Sequence, residues 1–137
     1  MKKILIVEDE KLLAGLLHKK LADNGYYVFL AEDGEQGLQQ MKENRPDAVL
    51  MDVAVPRLGG LEVLKEMGQD SLLKDIPVII ISNSGQLEEI DKARALGAKD
   101  WLVKTEFDPE EALGKVRKYV GEADETKSNN NTSDGLL

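Results

Sequence analysis

Short apolar runs rich in β-branched residues recur five times along this chain, and helical spacing fills the intervals between them. The runs are Lys3 to Val7, Tyr26 to Ala31, Ala48 to Met51, Pro77 to Ser82 and Asp100 to Val103. Leu12, Leu13, Leu16, Leu17 and Leu21 return at three- and four-residue intervals, which predicts a helix with one apolar stripe, stopped by a left-handed turn at Asn24-Gly25. Gly34 to Lys42 continues the pattern with Leu38 and Met41. Leu61, Val63, Leu64 and Met67 mark a third helix before Gly68, and Leu87, Ile90, Ala93, Ala95 and Leu96 mark a fourth, closed by Gly97. Asp108-Pro109-Glu110-Glu111 is a helix start, with a capping aspartate, proline at the first helical position and acids at the positive end of the dipole. Leu113, Val116, Tyr119 and Val120 supply its buried face. Regular alternation of strand and helix predicts an α/β fold: a parallel sheet covered by helices on both faces and joined by right-handed crossovers. The runs centred on Ile6, Val49, Ile79 and Leu102 alternate little, as doubly covered strands do.

Folds of this kind bind ligands beyond the carboxyl ends of the strands, where the strand order reverses. The first run leads into Glu8-Asp9-Glu10, the third into Asp52, the fourth into Ser82-Asn83-Ser84 and the fifth into Lys104. Parallel strands bring these ends to one edge, so carboxylates, a hydroxyl and an ammonium converge there. Clustered carboxylates repel one another, and a hard cation with oxygen ligands relieves the repulsion, Mg²⁺ being the natural choice. A lysine aimed at the same place is a counter-ion to Asp52, or a clamp for a phosphoryl oxygen once Asp52 carries one, with the Ser82 hydroxyl as a further donor.

Composition closes off several classes of function. Asp and Glu outnumber Lys and Arg by 26 to 18, a net charge of −8, the wrong sign for coating nucleic-acid phosphates. With no cysteine there are no disulfides, thiolate nucleophiles or Cys-based metal centres, and one histidine, His18, excludes multi-histidine sites. His18 is expected at the surface or flank of the first helix. The opening MKKILIVEDE turns acidic where a signal peptide would still be apolar, and no window approaches the roughly 18 apolar residues of a membrane span. A cytoplasmic location is expected. No G-x-x-x-x-G-K-S/T or G-x-G-x-x-G occurs, and Glu8-Asp9-Glu10 would repel the phosphate of a flavin.

The segments ILIVEDE at 4–10, MDVAVPRLGGLEVL at 51–64, VIIISNS at 78–84 and DWLVKTEFDPEEALGKVRKYV at 100–120 closely resemble the receiver domain of bacterial two-component response regulators. The resemblance covers about residues 2 to 120. It implies a flavodoxin-like doubly wound sheet of five parallel strands, in the order 2-1-3-4-5, with five helices. It further implies that Asp52 is a phosphoacceptor taking a phosphoryl group from a phosphohistidine on a sensor histidine kinase or phosphotransfer protein. Asp9 resembles the direct Mg²⁺ ligand, with Glu8 helping through water and with Asp52 and the backbone carbonyl of Ala54 completing the protein's share. Lys104 and Ser82 resemble the groups that stabilise the transferred phosphoryl. Ser82 also resembles the switch hydroxyl, and Trp101, three residues before Lys104, the aromatic that reports the switch on the surface of the fourth helix, fifth strand and fifth helix. Such a domain phosphorylates and dephosphorylates itself rather than turning over a substrate.

Two positions depart from the family pattern: Thr105 follows Lys104 where a cis proline is usual, and Asn83 follows the switch hydroxyl where a small residue is common. They are the sequence support for an alternative function, a receiver-like protein-interaction module that works without phosphate. Plainer roles also stand beside the functional ones. Glu10 reads as a charge at a helix start, Ser82 as a residue that bonds its own turn, Trp101 as a packing aromatic and Gly59-Gly60 as turn geometry. Glu88, Glu89, Asp91, Lys92 and Arg94 read as a solvated face, or as part of a phosphorylation-dependent homodimer contact. Residues 121–137, polar and of low complexity, are expected to form a mobile tail after a 1–120 domain. Such a tail is too short for an output domain, so output is expected through a downstream protein target, or the chain is part of a longer regulator.

Overall fold

A computed structural model describes residues 1–83, 87–106 and 108–123. Its elements follow in strict alternation: β1 (Lys3–Val7), α1 (Lys11–Asp23), β2 (Tyr27–Ala31), α2 (Gly34–Asn44), β3 (Ala48–Asp52), α3 (Gly60–Gly68), β4 (Val78–Ser82), α4 (Leu87–Ala95), β5 (Asp100–Val103) and α5 (Pro109–Val120). The five strands are parallel and lie in the order β2-β1-β3-β4-β5. The expected fold class and strand order are thus the observed ones. The order reverses between β1 and β3, which pair from Ile4 with Ala48 to Val7 with Met51, so the ends of these strands flank the crevice.

Side-chain alternation along the strands divides the core into two layers. Leu5, Val7, Val49, Met51, Val78 and Ile80 face α2, α3 and α4, meeting Leu38, Met41, Val63, Leu64, Met67 and Ala93. Ile4, Ile6, Leu50, Ile79, Ile81 and Leu102 face α1 and α5, meeting Leu17, Leu21, Ala112, Leu113 and Val116. Strands β3 and β4 are buried at every residue, which explains their lack of polar alternation. Asp33 and Asp108 cap α2 and α5, accepting from Gln36 N at 2.8 Å and Glu111 N at 3.0 Å.

The stripe expected on α1 is only partly buried. Ala14, Leu17 and Leu21 face the core, while Leu12 and Leu16 are 74% and 49% exposed. At about 100° per residue, positions 14, 17 and 21 share one narrow face and 16 and 12 turn progressively away from it. A run of five leucines is wider than the contact α1 makes. On α4, Ile90 and Ala93 are buried while Leu87 and Ala95 are exposed, so that helix too packs through fewer residues than its apolar content suggests.

Of the stretch expected as a tail, Gly121–Ala123 packs against the domain. Ala123 is buried, its carbonyl accepts from Lys2 N at 3.1 Å, and Tyr26 Oη donates to the Gly121 carbonyl at 2.6 Å. Positions 124–137 lie outside the described residues, as does Ser84. Among the described residues no helix is long and apolar enough to cross a membrane.

Candidate functional site

Asp52 is the last residue of β3, and its carboxylate is 1% exposed. It survives burial because both oxygens are occupied: Oδ1 accepts from Ala54 N at 2.9 Å, and Oδ2 meets Lys104 Nζ at 2.7 Å. Lys104 follows β5, with its backbone held to β4 by a 2.8 Å bond from its N–H to the Ser82 carbonyl. Its ammonium also lies 3.4 Å from Glu8 Oε2 and 3.2 Å from Glu10 Oε2. Burial alone would make Lys104 easier to deprotonate, but the Asp52 hydrogen bond and the charges of Asp52 and Glu8 prevail and raise its pKa well above the ordinary lysine value.

Glu8 extends the β1 ladder by one bond, its N–H donating to the Ala31 carbonyl at 3.0 Å. Its side chain is fully buried, and Oε2 accepts from Glu10 N at 3.0 Å while Oε1 has no hydrogen-bond partner. Burial raises the Glu8 carboxyl from 4.5 to about 7; the Glu10 N–H opposes the rise and the charge of Asp52 adds to it. Asp9, beside them, is exposed. One oxygen from each of Glu8, Asp9 and Asp52 can be gathered within 4.8 Å. An all-oxygen donor set containing a buried, unpartnered carboxylate oxygen fits a hard divalent cation. At Ala54 the contact seen is its N–H on Asp52.

The structure therefore brings together Glu8, Asp9, Asp52 and Lys104, all expected at this edge. Glu10, expected only as a charge at a helix start, is a third carboxylate on Lys104. Ser82 lies on the strand beside Asp52, where Ile81 pairs with Asp52, but its buried hydroxyl donates to Glu89 Oε1 on α4 at 3.0 Å. Two members of the stretch expected as a solvated face thus make specific contacts: Glu89 holds Ser82, and Arg94 stacks on Trp101. Strand-end logic cannot find Glu89, because that residue sits inside the first turn of a helix.

Trp101 is half-buried on edge strand β5, and its backbone N–H donates to Asp100 Oδ1 at 2.8 Å. The Arg94 guanidinium of α4 and the Lys115 ammonium of α5 stand 5.5 and 5.4 Å from its ring centroid. Lys115 is itself held by Asp100 Oδ1 at 2.8 Å. Asn83 and Thr105 are exposed, and with no cis peptide bond among the described residues, Lys104–Thr105 is trans. His18 is half-buried on α1.

Two glycines shape the loop that follows Asp52. A Cβ at Gly60 would lie 2.8 Å from the Asp52 carbonyl oxygen, and one at Gly34 would run into the Leu58 carbonyl. Neither has a positive φ. Close backbone approach, rather than the turn geometry expected of Gly60, makes side chains inadmissible there.

Comparison with known proteins agrees with this geometry. Residues 4–117 match the response regulator receiver domain family. Over 118 residues the chain is 37% identical to the response regulator MprA of Mycobacterium sp. (strain KMS), covering 86% of this chain and 50% of that protein. It is 33% identical over 129 residues to the probable transcriptional regulator ycf27 of Porphyridium aerugineum, covering 94% of this chain and 52% of that one. The chain thus spans about half the length of these relatives. Chemotaxis protein CheY4 of Vibrio cholerae superposes with a TM-score of 0.81 at 31% identity, over 87% of this chain and 98% of that one. The receiver domain of a sensor histidine kinase from Pseudomonas aeruginosa PAO1, solved with a magnesium ion coordinated in its active site cleft, gives 0.80 at 26%, over 88% and 98%. With the five-stranded order, the acidic edge and the paired lysine in place, the chain belongs to the response regulator receiver domains of two-component signalling systems.

Proposed function

We propose that the domain accepts a phosphoryl group onto Asp52 from a phosphohistidine on a sensor histidine kinase or phosphotransfer protein, and then presents an altered surface to a downstream protein. The observation that carries this is the Asp52 carboxylate, buried yet held at 2.7 Å by Lys104 and flanked by Glu8 and Asp9. An Asp52 oxygen attacks phosphorus, the donor's P–N bond breaks, and its electron pair stays with the imidazole nitrogen. Asp9, Asp52, Glu8 and the Ala54 carbonyl would hold Mg²⁺, which supplies positive charge for the phosphoryl oxygens when bound. Lys104 passes from Asp52 to a phosphoryl oxygen, and the Ser82 hydroxyl donates to another. Water later returns Asp52 to its free state, so the domain modifies itself and is not a turnover enzyme. The resulting change is carried to Trp101 and the surface of α4, β5 and α5, where a downstream protein or a second phosphorylated copy would dock. A cytoplasmic setting suits this exchange.

The test is intact-mass analysis after incubation with Mg²⁺ and acetyl phosphate. Wild type should gain one phosphoryl group and Asp52→Asn none. Equal gain by both would remove Asp52 from its role. A wild type that no phosphodonor modifies would favour a phosphate-independent interaction module, for which the exposed Asn83 and Thr105 are the structural support.

A further inference from the structure

Ser82 is fully buried, and its hydroxyl proton is directed at Glu89 Oε1, 3.0 Å away on α4. The serine backbone is not free to change partners: Lys104 N bonds its carbonyl at 2.8 Å, and the neighbouring Ile81 carbonyl accepts from Val53 N at 3.1 Å. A change of partner at Ser82 therefore concerns its hydroxyl, which donates to Glu89. One hydroxyl carries one proton, and a carboxylate is a strong acceptor for it.

We propose that Glu89 is a positioning residue that holds the Ser82 hydroxyl away from Asp52, so that the α4 carboxylate and a phosphoryl oxygen on Asp52 compete for the same proton. The inference rests on Asp52 being the acceptor. Phosphoryl binding then requires the Ser82–Glu89 bond to break, and the tie between β4 and α4 is released in the same event. Conversely, anything that strengthens the bond raises the threshold for activation. Glu89 is half-buried in the first turn of α4, outside the cluster that would hold the metal, so its influence runs through the hydroxyl.

The experiment is a fluorescence titration of Trp101 with beryllium fluoride in saturating Mg²⁺, using wild type, Asp52→Asn, Glu89→Ala, Glu89→Gln, Ser82→Ala and the Ser82→Ala/Glu89→Ala double variant. Removing a competing hydrogen bond to a charged acceptor should tighten binding by roughly tenfold in Glu89→Ala, and less in Glu89→Gln, whose amide oxygen still accepts. In the Ser82→Ala background the Glu89 substitution should have no effect. A gain of the same size there would mean that Glu89 acts only as a negative charge, and would overturn the proposal. Equal affinities of wild type and Glu89→Ala would overturn it as well, while leaving Asp52 untouched if Asp52→Asn fails to bind. Binding by Asp52→Asn would instead bring down the acceptor assignment on which the inference stands.

Discussion

Lys104 Nζ lies 2.7 Å from Asp52 Oδ2, although 52 residues separate the two along the chain. The pair is the only cation contact that the Asp52 carboxylate makes among the described residues, and Lys104 serves Glu8 and Glu10 as well. Replacing Lys104 with Met leaves the buried Asp52 carboxylate without its cation. Stability should fall by about 3–5 kcal/mol at neutral pH, the usual consequence of removing one partner of a buried pair. Added Mg²⁺ should return part of the loss. Urea unfolding with and without Mg²⁺ measures both effects, and an unchanged midpoint would show that the pair contributes nothing to the fold.

Asp100 supplies a pH dependence of known sign. Burial alone would raise its carboxyl, but hydrogen bonds from Lys115, the Trp101 N–H and Tyr119 together lower it below 3.8. A carboxyl depressed in the folded state stabilises the protein at pH values above 3.8, and the contribution disappears as pH falls through the lowered folded value. The difference in melting temperature between wild type and Asp100→Asn should therefore be constant at pH 5–7 and shrink on acidification below about 4. A difference that grows toward acid pH would contradict the arrangement around Lys115.

Two glycine-to-alanine substitutions should have opposite outcomes. At Gly34 the new methyl meets the Leu58 carbonyl, a backbone group that can yield only by moving the loop after Asp52. The cost should be about 1–3 kcal/mol. At Gly15, inside α1, a methyl meets nothing within 4 Å, and alanine should stabilise the helix by up to about 1 kcal/mol. Urea denaturation of both variants checks the contrast, and equal effects would mean that the close approach at Gly34 is absent in solution.

Leu12 and Leu16 form an exposed apolar ridge on α1, which begins immediately after Glu8-Asp9-Glu10. On the proposed reading of Asp52 as phosphoacceptor, this ridge is where a protein donor would dock. Leu12→Ser with Leu16→Ser should slow transfer from a phosphohistidine-bearing partner by about tenfold, since two exposed anchors at an interface carry energies of that order. Reaction with acetyl phosphate should be unchanged. Loss of both reactions in equal measure would place the defect in the site itself and not in docking.

Much of this architecture could be read from the chain because strand ends are strongly marked. β3 and β4 are continuous apolar runs, and each ends where its sequence turns polar, at Asp52 and Ser82, so parallel strands carry their last residues to one edge whatever the helices do. The capping Asp108 and Pro109 were equally plain, since their physics is local. The side-chain partners were less accessible. Glu89 looks like any acid in a first helical turn, and only the packing of α4 beside β4 aims it at Ser82. Leu12 and Leu16 carry the right residue type at helical spacing, yet periodicity does not say how wide a contact the helix makes. The cations on Trp101 come from two helices, and no spacing rule relates Arg94 to Lys115.

The loop that follows Asp52 is boxed in on one flank. Gly34 N bonds the Pro56 carbonyl at 3.3 Å, Gly60 N bonds the Val53 carbonyl at 3.0 Å, and at both glycines the backbone is too close to admit a side chain. On the opposite flank β4 and α4 are joined by the side-chain hydrogen bond from Ser82 to Glu89. Asp52 thus sits between a flank closed by backbone contacts and one held by a side-chain bond. If Asp52 takes up charge as proposed, the Ser82–Glu89 bond is the contact with room to change, because backbone fills the space at Gly34 and Gly60. Direction, in such a domain, would then be set by where the glycines are.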